Sequence, residues 1–169
     1  MPEPAAEEVS SRLLSVDNYP LDVIDEISPR DHMYHDNPPA YFRLAKVALR
    51  CVQFTLLLTG RPAPETILDL PSGHGRVLRI LKAEFPNARL AACDIDRDAV
   101  DFCSSVLGAT PVYGKPRPQD VEIDGSYDLI WCSSLMTHLD RQGWTEFLDF
   151  FESILAPDGI LIFTVSSRT

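Results

Sequence analysis

Apolar residues along the chain first recur at helical spacing. Between Tyr41 and Leu58, the positions Leu44, Val47, Cys51, Phe54 and Leu58 step by three and four while Arg43, Lys46 and Arg50 fall on another face, which predicts one amphipathic helix. After the breaker Gly60-Arg61-Pro62-Ala63-Pro64 the period alternates. Thr66–Leu70 reads as strand, Arg76–Phe85 as helix, Arg89–Cys93 as strand and Arg97–Leu107 as helix, a βαβα order that predicts a parallel sheet. A short strand follows at Pro111–Tyr113, then a Pro- and Asp-rich connection, a strand at Tyr127–Cys132 and a helix from Arg141 to Leu155. Asp140 is placed to cap that helix, and Pro157-Asp158-Gly159 to turn the chain into a last strand, Ile160–Val165. Right-handed crossovers put helices on both faces, so the expected fold is α/β, a Rossmann-like doubly wound, mostly parallel sheet of five strands. Its ligand crevice should lie at the carboxyl ends of the strands, where strand order reverses.

With 169 residues the chain fits one domain able to bury a core. Residues 1–40 read as an N-terminal tail. Its Ala/Glu/Pro-rich opening has the composition of a disordered end, and its stretch from Leu13 to Pro39 suits short turns that could form a lid. Residues 41–169 read as the core. The formal net charge of −10 leaves no general attraction for phosphate backbones or anionic lipid, so neither a nucleic acid nor a membrane is expected as partner. The longest apolar stretch, Val52 to Leu58, is far shorter than the roughly 20 residues needed to cross a bilayer. The acidic N-terminus lacks the features of a secretory signal, and a cytoplasmic location is expected. Cys51, Cys93, Cys103 and Cys132 show no CxxC spacing and read as core thiols, not as a metal site.

The chemistry concentrates in Asp69-Leu70-Pro71-Ser72-Gly73-His74-Gly75-Arg76, where a strand ends in a carboxylate and a tight turn opens a helix. Glycine there lets backbone amides approach a ligand. Asp94, at the end of the next strand, can accept hydrogen bonds from ribose hydroxyls. A dinucleotide fingerprint would place a third glycine where this chain has Leu78. A carboxylate at Asp69 would also repel a pyrophosphate and welcome a cation. Both details favour a positively charged adenosyl cofactor over a nicotinamide one.

On these motifs the chain resembles class I S-adenosylmethionine-dependent methyltransferases over about Tyr41 to Val165. Asp69-x-Pro71-x-Gly73-x-Gly75 is similar to the family's D-x-G-x-G-x-G turn, Asp94 to its acidic second-strand end, and Tyr127-Asp128 to the aromatic-Asp start of its fourth strand. Leu155-Ala156-Pro157-Asp158-Gly159 is similar to the turn before its fifth strand. Pro71 departs from the pattern by replacing a glycine, which removes one backbone donor. The family's final two strands are absent, so a core truncated at its C-terminus is expected, and the fifth-strand edge leaves a homodimer open. The resemblance implies methyl transfer to a small-molecule acceptor, with S-adenosylmethionine as cofactor. It implies that Asp69, Pro71, Gly73 and Gly75 hold the methionine part, Asp94 the ribose and Ile95 an adenine face, with Ser133 or Ser134 at the rim. The competing expectation is a non-catalytic binding or interaction module of the same fold.

Other residues carry weaker signals. His138 follows the fourth strand, within reach of substrate, and is the candidate general base, though a lone His near a helix start more often serves hydrogen bonding. His74 is expected to orient the turn or to face solvent, and not to transfer protons. Asp31-His32-Met33-Tyr34-His35-Asp36 matches no established metal spacing, and Tyr34 and Tyr41 are instead expected to cover the cofactor. Asn37-Pro38-Pro39-Ala40-Tyr41 resembles the N-P-P-Y motif of amino-group methyltransferases, but it precedes the strands instead of following the fourth.

Overall fold

Strands β1 (Thr66–Asp69), β2 (Arg89–Asp94) and β4 (Tyr127–Cys132) carry nearly continuous apolar runs and are almost wholly buried, the pattern of strands covered on both faces. A computed structural model describes residues 21–35 and 37–165. With β3 (Thr110–Tyr113) and β5 (Leu155–Phe163) these strands form one sheet in the order β3-β2-β1-β4-β5, every pair parallel. The fold is thus the α/β doubly wound architecture, with the order reversing between β1 and β4.

Helices α1 (Pro38–Thr59), α2 (Leu78–Glu84) and α3 (Arg97–Leu107) cover one face, sharing a core with Ile67, Leu90, Ala92, Leu129 and Trp131. Helix α4 (Arg141–Ile154) covers the other, packing Phe150, Phe151 and Ile154 against Leu68, Cys93 and Ile130. The expected caps are present: Asp96 accepts from the Asp98 amide and Asp140 from the Gly143 amide. Asp128 ties two strand starts together, its Oδ2 accepting from the amides of Glu65 and Thr66 and from the Thr66 hydroxyl.

Three expectations need correction. Helix α1 forms, but its buried face is Tyr41, Ala45, Ala48, Leu49 and Val52, whereas Leu44, Val47, Cys51, Phe54 and Leu58 are exposed. The side with the small Ala45 and Ala48 packs into the core beside α2, and the bulkier side is left out. Cys51 is therefore not a core thiol, unlike Cys93, Cys103 and Cys132, whose pKa values burial pushes up to about 12. Pro157-Asp158-Gly159 is not a separate turn before the last strand but a bulge inside β5, where the register against β4 shifts between Tyr127 and Leu129. The opening expected to be disordered, residues 13–20 of the candidate lid, and Asp36 lie outside the described residues. Among those described, no helix is long and apolar enough to cross a membrane.

Candidate functional site

The last residue of β1, Asp69, is 1% exposed, and among the described residues neither of its carboxylate oxygens has a hydrogen-bond partner. Burial first, then the nearby Asp94 charge, holds its pKa well above the usual carboxylate range. Arg76 and the Leu78 amide oppose this, the latter without completing a hydrogen bond. Beyond Asp69 the Leu70–Pro71 peptide is cis, and the chain is pinned to both neighbouring strands: the Leu70 amide donates to the Trp131 carbonyl at 3.0 Å and the Ser72 amide to the Cys93 carbonyl at 2.9 Å.

The two glycines then do different work. Gly73 has φ +49° and open space where a Cβ would stand, so it lets the crevice run up to bare backbone. Gly75 has φ +78°, and a Cβ there would lie 2.5 Å from Leu107 Cδ1 and 3.0 Å from Cys103 Sγ. Its bareness seats α3 against the turn, and it does not line the crevice. Asp94, at the end of β2, joins the two strand ends: Oδ2 accepts from the Gly73 amide at 2.8 Å and Oδ1 from the Asp96 amide at 2.9 Å. Each oxygen keeps further lone-pair capacity. Ile95 follows, 65% exposed beside these groups.

One crevice collects Asp69, Pro71, Gly73 and Asp94 with Ser133 and Ser134 from the end of β4. It sits at the carboxyl ends of β2, β1 and β4, at the point where strand order reverses. Its far wall is the segment before α1, contributing Arg30, Asp31, His32 and Met33. Arg79 of α2, 1% exposed, holds that segment down. Its guanidinium donates to the carbonyls of Ile24 and Glu26, both at 2.8 Å, and to those of Gly75 and His74 in the turn, both at 3.2 Å. The Tyr41 hydroxyl donates to Asp31 Oδ2 at 2.7 Å, and Arg30 pairs with Asp98 at 2.6 Å. His74 is buried in the turn with Nε2 3.3 Å from Asp98.

The structure therefore brings Asp69, Pro71, Gly73, Asp94 and Ser133 to one crevice, with Ile95 beside it. Other expected residues stand elsewhere. Tyr41 is buried and committed to Asp31, and Tyr34 packs edge-on against it, so both support the wall and neither lines the crevice. His138 is exposed at the end of the 3-10 turn Met136–His138, away from the lining. Asp31, from the His-rich cluster, is occupied by Tyr41 and the Met33 amide. Nothing in the sequence marks Arg79, because its partners are backbone carbonyls, which no side-chain pattern advertises.

An adenosyl cofactor with a charged amino-acid end fits this donor set. Asp69 offers a buried carboxyl group that a cationic amino group would ionise, Gly73 an open backbone approach and Asp94 a pre-oriented acceptor.

Residues 68–161 match a protein family described as a methyltransferase domain. Among solved structures, the plantazolicin methyltransferase BpumL in complex with a pentazolic desmethylPZN analog and SAH superposes with TM-score 0.63 at 16% identity, over 95% of this chain and 61% of that one. DhpI in complex with SAH gives 0.57 at 19%, over 95% and 70%. A TehB-like SAM-dependent methyltransferase from Corynebacterium glutamicum gives 0.53 at 21%, over 75% and 73%. The chain thus spans less than two thirds of the plantazolicin enzyme's length, and at these identities the likeness is one of fold.

Proposed function

Since the chain belongs to the methyltransferase-domain family, whose cofactor is S-adenosylmethionine, we propose that it transfers a methyl group from that cofactor to a small-molecule acceptor. The observation that carries this reading is the buried, unpaired carboxylate of Asp69 next to the backbone-held carboxylate of Asp94. In it Asp69 faces the amino group of the methionine part, Asp94 takes the ribose hydroxyls, and Ile95 lies against the adenine. Ser133 stands at the rim where an acceptor enters. When bound, the cofactor would supply a methyl carbon on a sulfonium: an acceptor lone pair would form a bond to that carbon as its bond to sulfur breaks, leaving S-adenosylhomocysteine, with the acceptor's proton passing to solvent. Such transfers depend mostly on orientation, so a crevice that fixes both partners needs few chemical side chains. A small acceptor is supported by the acidic balance of the chain and by neighbours crystallised with N-methylheliamine or with a pentazolic desmethylPZN analog.

The test is incubation with methyl-labelled S-adenosylmethionine and a cell extract separated into small-molecule, protein and nucleic-acid fractions. Label entering the small-molecule fraction is expected. Label confined to protein or nucleic acid overturns the acceptor class. Cofactor binding with no label in any fraction identifies a non-catalytic module.

A further inference from the structure

Helix α1 has two apolar faces, and among the described residues only one of them is covered. Tyr41, Ala45, Ala48, Leu49 and Val52 enter the core, whereas Leu44 is 52% exposed, Val47 47%, Phe54 53% and Leu58 69%, with Cys51 exposed among them. Single exposed leucines are ordinary, but five apolar residues in one line are not. Their steps of three, four, three and four are the a and d positions of a heptad, the seam that receives the knobs of another helix. From Leu44 to Leu58 the seam runs about 21 Å along the helix.

Charge narrows the choice of occupant. The helix carries three basic residues, Arg43, Lys46 and Arg50, and no acidic one, in a chain of net charge −10. Arg43 is exposed and Lys46 half-buried along one flank of the seam. A second copy of α1 would set cations against cations, since it too has no acid to offer. A bilayer surface suits a broad apolar face, not a two-position seam, and anionic lipid would meet the acidic remainder of the domain. An acidic helix satisfies both the seam and its flank.

We propose that this face of α1 docks an amphipathic helix of a partner protein, its apolar heptad positions bordered by Asp or Glu. The surface is remote in role from the crevice: none of its five apolar residues lines it. Docking of this kind is the helix-in-groove mode, in which apolar anchors supply affinity and flanking charges select the partner.

Cys51 gives a direct probe, because the other three cysteines are buried. The folded chain is mixed with a synthetic helix bearing Leu at a and d and Glu at e and g, or with the same helix bearing Lys at e and g, and alkylation of Cys51 is followed. The Glu helix is expected to slow alkylation about tenfold at saturation, and the Lys helix to leave it unchanged. Phe54→Ala is expected to weaken the Glu helix by about tenfold while leaving S-adenosylhomocysteine affinity intact. No protection, or equal protection by both helices, overturns the proposal. So does protection that grows with protein concentration alone, which marks a second copy, or protection by phosphatidylglycerol vesicles but not by the Glu helix, which marks a membrane surface.

Discussion

The carboxylate of Asp94 holds the Gly73 amide at 2.8 Å, so the residue assigned to the ribose also sets the shape of the turn that would face the methionine part. The two halves of the crevice are therefore coupled through one side chain. Asp94→Ala should weaken S-adenosylhomocysteine binding by about ten- to a hundredfold, the cost of losing charge-assisted hydrogen bonds. Asp94→Asn, which keeps one acceptor oxygen, should lose less. Equal losses in the two variants would show that the carboxylate charge, and not the hydrogen bond to the turn, carries the affinity, and no loss in either would remove Asp94 from the site.

Among the described residues neither carboxylate oxygen of Asp69 has a hydrogen-bond partner, and only the Arg76 charge and the Leu78 amide favour its ionised form. Its pKa is raised by burial and by Asp94, so the folded state binds more protons than the unfolded one from the unfolded carboxylate value near 4 up to the raised native value. Across that window the stability of the free protein should fall as pH rises. Asp69→Asn removes the buried charge and should raise unfolding free energy at neutral pH by about 1 kcal/mol, while cofactor binding is lost. Urea denaturation beside a binding titration measures both. A less stable variant that still binds would refute this role.

The same shift gives binding a pH signature. A cationic amino group beside Asp69 favours its ionised form, so binding should release a proton, and affinity should rise with pH toward the raised native value. Titration in two buffers of different ionisation heat detects the proton. Proton uptake, or an affinity that falls as pH rises, would reverse the sign of the argument.

Arg79 ties the wall of the crevice to its floor through four carbonyls. Arg79→Met should take this donor from the Ile24, Glu26 and His74 carbonyls, while the backbone amide of residue 79 still reaches Gly75, and should cost about 2–4 kcal/mol. Limited proteolysis should then cut within residues 21–35 well before the core, and S-adenosylhomocysteine should restore little protection. Arg79→Lys, with one point charge in place of a fork, should be intermediate. Uniform cleavage across the chain would mean that Arg79 serves the whole fold and not this wall.

The parts legible in sequence were those with local causes. The strand-turn-helix around Asp69 and Gly73 and the caps Asp96 and Asp140 follow from backbone rules acting over a few residues, and the structure places them as expected. The buried face of α1 was not legible, because two apolar faces at helical spacing compete and packing chose the one with Ala45 and Ala48 over the one with Leu44 and Phe54. Nor was the wall of the crevice. Arg79 meets Ile24 fifty-five residues away through a main-chain oxygen, and Tyr41 is drawn inward by Asp31 instead of facing the ligand. His138 followed the right strand, yet its turn carries it outward.

Calorimetric titration of the chain with S-adenosylmethionine, S-adenosylhomocysteine and NAD separates the adenosyl reading from a nicotinamide one. One site per chain is expected for both adenosyl ligands, with NAD neither binding there nor competing. Binding of NAD at that site, or no binding of either adenosyl ligand, would contradict the adenosyl reading.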